Sequence, residues 1–260
     1  MGLGTLSVVL LLWQWGAQRY TSVILPSPGE VAIALQGLFR DGLVGGAIAA
    51  TSTHVFIGFA LALMVGGLLG LAVGQQPWLQ PAIAPIAVAL LGTPPIAWLV
   101  LTMVWFGLNS TNSIFTVAVT VAPIVFAGVV DAVVTLDAHL LAVAQVYQLR
   151  GRSRFQCLYW PHLVSRLLPV CVTGLGIGWR VSIMSEVLAT PVGIGAEMNT
   201  ARANLDTASV MAWIVITIIL VLTSDTLLRL LQQRLLPWRR DPPRGVTLRH
   251  PSTRQMGAAP

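Results

Sequence analysis

The sequence predicts an all-helical protein that crosses a membrane six times. Its 260 residues are 55% hydrophobic and only 9% charged, and a further 24 residues are glycine. This apolar share exceeds the roughly 45–50% that is usual for a soluble domain. Six long apolar runs divide the chain, and a helix needs about 20 such residues to cross the hydrocarbon core of a bilayer. A water-soluble globule is therefore excluded.

The six apolar runs cover residues 3–20, 43–74, 81–107, 114–134, 163–189 and 207–231. We expect the first run to be a retained helix rather than a signal peptide. No positive charge precedes it, and no small-x-small cleavage site comes before Arg19. The second and third runs are long enough to tilt or to break.

The arginines predict the orientation of the bundle, because positive residues in short loops stay on the cytoplasmic side. All 15 basic residues are arginine. Four of them surround the loop after the fourth run, and seven lie at or beyond the end of the sixth run: Arg150, Arg152, Arg154 and Arg166, then Arg229, Arg234, Arg239, Arg240, Arg244, Arg249 and Arg254. The opposite side receives Arg19, Arg40 and Arg202. Both termini are therefore expected to be cytoplasmic.

Local signals predict how the helices begin, pack and break. Ser27, Pro28 and Glu30 form a capping-box pattern that opens a short amphipathic helix. In the second run a small residue recurs every four positions from Gly58 to Gly74, which favours close helix packing. Two consecutive prolines, Pro94 and Pro95, must kink or break the third run.

Several kinds of chemistry are excluded by composition. The absence of lysine rules out both a Walker A phosphate loop and a Schiff-base lysine. Cys157 and Cys171 do not make a disulfide framework, and the four histidines lack the spacing of metal ligands. A net charge of +6 could indicate nucleic-acid binding, but the arginines lie between apolar runs, so we expect no nucleic-acid partner.

Ionisable residues inside spans are costly and mark candidate functional sites. They are His54, Asp131, Arg180, Glu186 and Asp225. The two aspartates lie near the predicted cytoplasmic ends, where Asp225 can pair with Arg229 one turn later. Arg180 and Glu186 are six residues apart and so face different sides of one helix. A structural ion pair and a pathway-lining role remain equal alternatives for Arg180, whereas Glu186 favours a structural or gating role.

The stretch 136–161 is too polar to span a membrane and too long for a simple connection. Its aromatic residues, Tyr147, Phe155, Tyr159 and Trp160, accompany Arg150, Arg152 and Arg154. This pattern suits a short helix that presents aromatic side chains to a groove on a partner. It also suits an arginine-rich loop resting on anionic lipid headgroups, and the residues alone leave both readings open.

Four landmarks in the chain occur together in one family. They are the Leu-Pro-Ser-Pro sequence at 25–28, the Pro-Pro-Ile-Ala-Trp-Leu sequence at 94–99 with Trp-Phe-Gly at 105–107, the cytoplasmic loop that closes at Pro161, and Gly-Ile-Gly at 193–195 after Glu186. In these respects the chain resembles the permease subunits of bacterial ABC importers, in particular the branch for nitrate, sulfonates, taurine and bicarbonate. The resemblance implies a type I, MetI-like permease domain at 1–238 in the inner membrane. After Pro237 the chain is rich in arginine, proline, glycine and serine with little apolar content, and this composition predicts a disordered cytoplasmic tail at 239–260.

The resemblance also implies an assembly. We expect two ATPase subunits that carry ATP and magnesium, an extracytoplasmic binding protein that delivers a small anion, and a second permease copy, most simply an identical one, all in contact with membrane lipid. This chain itself is expected to bind no cofactor or metal and to have no enzymatic activity.

The site residues implied by the resemblance form two sets. The coupling loop that docks on the ATPase would use Tyr147, Gln148, Arg150, Gly151, Arg152, Arg154, Phe155 and Pro161. The pathway would be lined by Pro94, Pro95, Trp98, Arg180 and Glu186.

Two other classes of function compete with an ABC permease. One is a secondary transporter driven by an ion gradient, with His54, Arg180 and Glu186 as relay groups. The other is a membrane scaffold, which the broken third run disfavours because a scaffold does not need irregular backbone in the membrane.

Overall fold

The protein is described by a computed structural model over residues 2–76, 78–135, 146–147, 149, 151–154, 156–157 and 160–235. Within these ranges the structure is helices and short connections, without a strand. The helices are α1 Gly2–Ala17, α2 Pro28–Arg40, α3 Leu43–Gln75, α4 Gln80–Gly92, α5 Pro95–Phe106, α6 Ser110–Val134, α7 Gly151–Arg154, α8 Trp160–Ala189, α9 Ile194–Ala203 and α10 Thr207–Leu235. The predicted tail at 239–260 lies outside the described residues.

The predicted number of spans is met only in part. Four of the described helices, α3, α6, α8 and α10, are long and apolar enough to cross a membrane, and α4 with α5 makes a fifth if the bent pair is one span. The run predicted at 3–20 is helical but α1 ends at Ala17, so it is about 24 Å long against a hydrocarbon core of about 30 Å. The helix of the first predicted span is therefore shorter than α3, α6, α8 and α10.

The double proline breaks the third run as predicted. α4 ends at Gly92, α5 begins at Pro95, and the two helices meet at 90°. Pro94 is the N-cap of α5 with an extended backbone, and Thr93 Oγ1 donates to the carbonyl of Ala89. A hydroxyl thus partners one of the carbonyls that the helix end leaves without an intrahelical partner.

The glycine stripe on α3 lets α6 approach closely, as predicted. A Cβ atom at Gly58 would lie 2.7 Å from the carbonyl oxygen of Ile114, and one at Gly70 would lie 2.8 Å from Cβ of Val129. Gly58 at one end of the stripe faces Ile114 of α6, and Gly74 at the other end faces Val133. Because the residue numbers increase in the same direction along both helices, α3 and α6 run parallel. Buried residues of α8 complete this core: Leu175, Trp179 and Val181 pack in one cluster with α3 and α6.

A second core joins the short helices to α10. The Ser27 hydroxyl accepts from the amide of Glu30, and the Glu30 carboxylate accepts from the amide of Ser27, which completes the predicted capping box of α2. Val31 and Leu38 of α2 pack with Ile194 of α9 and Trp213 of α10. This cluster holds α2 and α9 at the same end of the bundle, next to the start of α3.

The loop predicted at 136–161 is shorter than expected at its distal end. α8 begins at Trp160, so Trp160 and Pro161 are its first two residues rather than loop. Proline fits there because the first turn of a helix has no use for its backbone donor.

Candidate functional site

Glu186 lies at the centre of a buried polar cluster near the end of α8. Its exposed fraction is 1%, and that of His54 on α3 is 4%. His54 Nδ1 is 2.8 Å from Glu186 Oε1, which also accepts a 3.1 Å bond from the hydroxyl of Ser182. His54 on α3 therefore gives Glu186 of α8 a partner from another helix.

The other carboxylate oxygen of Glu186 reaches the start of α9. Thr51 donates to Oε2 at 2.8 Å, and the amide of Gly195 donates to the same oxygen at 3.1 Å. Thr51 in turn accepts from the amide of Ile194 at 2.9 Å. The cluster thus satisfies two of the amides that a helix N-terminus leaves without partners.

Two glycines make room for this carboxylate. Gly193 has a φ of +116°, which strongly favours glycine, and a Cβ there would lie 2.5 Å from Cδ of Glu186. A Cβ at Gly195 would lie 2.5 Å from Cβ of Glu186 and 2.7 Å from the amide nitrogen of Val187. The two glycines of the Gly-Ile-Gly sequence at 193–195 therefore leave space for Glu186 at the start of α9.

Arg180 has the opposite environment. It lies nine residues before the end of α8, is exposed, and makes no ion pair or hydrogen bond to any other described residue. The prediction that Arg180 and Glu186 occupy different faces of one helix is confirmed, since Glu186 points into the bundle and Arg180 points away from it.

The residues of the broken helix lie at or near the surface of the protomer. Pro94 and Ile96 are exposed, whereas Pro95 and Trp98 are half-buried. One turn further, Thr102 is fully buried, with its hydroxyl 3.5 Å from that of Thr116 on α6. The first half of α5 is thus free to face a partner or a pathway, and the second half is anchored.

Part of the predicted coupling loop is described. Tyr147 is exposed, with 74% of its surface accessible, and Gly151 starts the short helix α7 with a φ of +51°. Arg152 and Arg154 belong to α7. Gln148, Arg150 and Phe155 lie outside the described residues. Their docking role stays a prediction.

The two aspartates of the spans form exposed ion pairs. Asp225 bonds to Arg229 Nε at 2.7 Å, as predicted, and Asp131 meets Arg166 of α8 at 3.3 Å. Exposed pairs of this kind contribute little to stability, about 0–1 kcal/mol. Exposed ion pairs are expected for aspartates that lie close to water at the ends of spans.

Thr51 and Ser182 are the site residues that the sequence analysis did not select. The available signal was their spacing: Thr51 lies three residues before His54, and Ser182 lies four residues before Glu186. At these spacings each hydroxyl shares a helix face with an ionisable residue. The described residues contain no group of three His, Cys, Asp or Glu side chains that would suit a metal ion.

The helices, the broken span and the ionisable residues within the spans together define a membrane-embedded permease. Residues 58–237 match the family described as the binding-protein-dependent transport system inner membrane component. The chain belongs to this family, the permease subunits of ABC importers.

Three relatives illustrate the match. The chain is 30% identical to the taurine transport system permease protein TauC of Escherichia coli (strain K12), over 92% of this chain and 89% of TauC. It is 31% identical to the riboflavin transport system permease protein RibX of Chloroflexus aurantiacus, over 90% and 88% of the two chains. It is 29% identical to the nitrate import permease protein NrtB of Synechocystis, over 73% and 72%.

A solved structure supports the fold. A chain of the MetNI methionine ABC transporter, in an inward-facing conformation, superposes with a TM-score of 0.63 at 15% identity. The superposition covers 74% of this chain and 95% of that chain. The predicted MetI-like architecture is therefore confirmed, and no comparison supports a gradient-driven transporter.

Proposed function

We propose that this permease imports a small anion, and that Arg180 lies in the translocation pathway. The observation that carries the proposal is an exposed guanidinium within a span, without a partner among the described residues. Arg180 is about 14 Å from the end of α8, at a rise of 1.5 Å per residue. An arginine facing lipid at the centre of a span costs about 2.5–3.5 kcal/mol even on insertion scales. A water-filled pathway removes that cost.

The chemistry of the guanidinium favours an anionic cargo. It keeps its charge and offers paired N–H donors that fit the oxygens of nitrate, sulfonate or carboxylate groups. The relatives are named for taurine, nitrate and riboflavin, so family membership alone does not select the cargo. Arg180 supplies the selection, and nitrate, taurine, other sulfonates and bicarbonate are the candidates.

The pathway is proposed to form between two copies of this chain. The exposed first half of α5, with Pro94, Pro95 and Trp98, and the Arg180 side of α8 would face it. Burial of Glu186 within the protomer supports a structural role for that residue rather than contact with the cargo. Two ATPase subunits would bind and hydrolyse ATP with magnesium, and an extracytoplasmic binding protein would deliver the anion.

Arg180→Gln is expected to lower anion uptake by at least about tenfold, because it removes the charge while keeping the length of the side chain. The measurement is uptake of labelled nitrate and taurine into proteoliposomes that contain the whole transporter. Arg180→Lys should retain more uptake than Arg180→Gln, because it retains the charge. Arg229→Gln, which breaks an exposed pair with Asp225, is the matched control.

Two outcomes would contradict the pathway role of Arg180. One is unchanged uptake by Arg180→Gln, which would mean that the arginine only reaches towards lipid headgroups. The other is loss of assembly before loss of uptake, which would indicate that Arg180 pairs with a charge on another subunit, since a stranded partner charge costs about 3–5 kcal/mol.

Cys157 provides a test of the proposed orientation and of the coupling loop. It is exposed and follows α7, whereas Cys171 is partly buried against the core of α3, α6 and α8. A membrane-impermeant maleimide should label Cys157 in inside-out vesicles but not in intact cells. Bound ATPase should slow that labelling. Labelling from outside intact cells would overturn the orientation, and labelling unaffected by the ATPase would count against docking at this loop. A Cys157→Ser variant is the control.

A further inference from the structure

The buried Glu186 cluster joins three helices at one point. Four donors converge on its carboxylate: His54 Nδ1, the hydroxyls of Thr51 and Ser182, and the amide of Gly195. The two oxygens of a carboxylate offer about four acceptor positions, and this set of partners fills them. Because the partners come from α3, α8 and α9, a displacement of one of these helices relative to the others would break hydrogen bonds in a buried site.

Glu186 also helps to cap α9 from a neighbouring helix, because its carboxylate accepts from the amide of Gly195. The residue at the N-cap position, Gly193, has no side chain with which to cap the helix. The amides of Ile194 and Gly195 are instead satisfied by Thr51 and Glu186. Ile194 itself is fully buried in the second core, so the start of α9 is fixed both by polar bonds and by packing. The residues that cap α9 lie on α3 and α8, so hydrogen bonds attach the start of α9 to both of these helices.

α4 is held in a very different way. Its contact with the bundle is a small cluster in which Ala87 packs with Val73 and Phe126, with Leu79, Ile83 and Val130 partly buried against it. An open apolar groove of about 280 Å³ lies on one side of that contact, between α3, α4 and α6. A second open groove of about 420 Å³ lies on the other side, between α4 and α6. α4 therefore has room to tilt in both directions about Ala87, and few packed side chains oppose the tilt.

The break at residues 92–94 completes this arrangement. No atom lies within 4 Å of a Cβ built on Gly92, so the end of α4 is unobstructed. The 90° bend leaves α4 and α5 without a continuous hydrogen-bond ladder between them. Thr102, buried beside Thr116, fixes the second half of α5 to α6. The break is thus positioned as a hinge between a loosely held helix and an anchored one.

We propose that the protomer works as two bodies during transport. In the first, α9 stays bound to α3 and α8 through Glu186, and His54 and Thr51 are positioning residues that hold the carboxylate in its capping position. The second is the α4 arm, which swings about the Ala87 contact with its hinge at Thr93 and Pro94. This inference rests on the proposed function, because it assigns the moving part of an ATP-driven pathway.

If the protomer works as these two bodies, nucleotide should change the amide hydrogen exchange of the α4 arm and not that of α9. The sample is the complete transporter in nanodiscs, measured without nucleotide and after trapping with ATP and orthovanadate. Amides at 80–98 should change their exchange between the two states by about tenfold or more, while those at 194–203 should remain protected in both. A change at 194–203 as large as that at 80–98 would overturn the two-body division.

Substitutions at His54 test its positioning role. Asparagine places an amide donor close to the position of Nδ1, whereas leucine has a similar size and no donor. His54→Leu should raise exchange at 194–203 by about tenfold, because Glu186 then loses one of its four donors in a buried site. His54→Asn should restore most of the protection. An equal rise of exchange in α10, or failure of His54→Asn to rescue, would show that His54 acts on general stability rather than on α9.

The same data separate this inference from the proposed function. A response to ATP at 194–203 overturns only the assignment of the moving part. The absence of any response to ATP and orthovanadate, in a sample where the ATPase is bound and active, overturns ATP-driven transport by this chain and the inference with it.

Discussion

Replacing Gly66 by alanine is expected to disrupt the contact between α3 and α6 and to lower the free energy of unfolding by about 1–3 kcal/mol. A Cβ at this position would overlap the carbonyl oxygen of Ala122 and lie 3.1 Å from both the amide nitrogen of Phe126 and Cβ of Val125. Two of these atoms belong to the backbone and cannot rotate away. The helices must therefore separate, and the Val55, Val117 and Val121 core between them loses its packing.

Gly67 offers a matched control for that experiment. It is the next residue of the same helix, and no atom lies within 4 Å of a Cβ built there. Gly67→Ala should leave the protein as stable as the wild type or slightly more stable, because alanine favours helix by up to about 1 kcal/mol. The measurement is the midpoint of thermal unfolding in detergent. Similar midpoints for Gly66→Ala and Gly67→Ala would mean that the glycine stripe is not the packing surface.

The features that were predictable from the sequence are those set by neighbouring residues. The capping box at 27–30 and the break at Pro94 depend on backbone chemistry within a few positions. The Asp225 to Arg229 pair requires only the helical repeat. The glycine stripe shows that α3 is closely approached, because its spacing is helical, but it does not identify α6 as the partner.

The Glu186 cluster could not be predicted in this way. His54 is 132 residues from Glu186, and the amide of Gly195 offers no sequence signal as a donor. The sequence predicts only that a buried carboxylate requires partners. Which helix supplies them depends on the order of the bundle, and that order is set by the close approach of α3, α6 and α8.

The sequence left a structural ion pair and a pathway-lining role open for Arg180 and favoured a structural or gating role for Glu186, and the environments of the two residues now separate them. Both are ionisable residues on one helix, six positions apart. Glu186 has four donors within hydrogen-bond distance and is buried, whereas Arg180 is exposed on the other side of α8. A buried and satisfied charge stabilises an arrangement of helices, while an exposed one in a span is available for a ligand.

Gly193→Ala is expected to detach α9 from the Glu186 cluster and to lower stability by about 3–5 kcal/mol. Two separate effects add. The backbone at Gly193 has a φ of +116°, where a residue with a Cβ is strained. The new methyl group would also occupy the position of the Glu186 carboxylate, so the bonds from Gly195 and Thr51 must break.

Gly42→Ala is a control that distinguishes the two effects expected for Gly193→Ala, backbone strain and displacement of the Glu186 carboxylate. Gly42 also has a positive φ, +71°, but no atom lies within 4 Å of a Cβ built there. Gly42→Ala should therefore cost only the strain of a left-handed residue, about 1 kcal/mol, and leave α9 protected from hydrogen exchange. Gly193→Ala should lower the unfolding midpoint further and expose the amides at 194–203. If both variants lower the midpoint equally and α9 stays protected, backbone strain alone explains the glycine, and Glu186 is not what holds α9 in place.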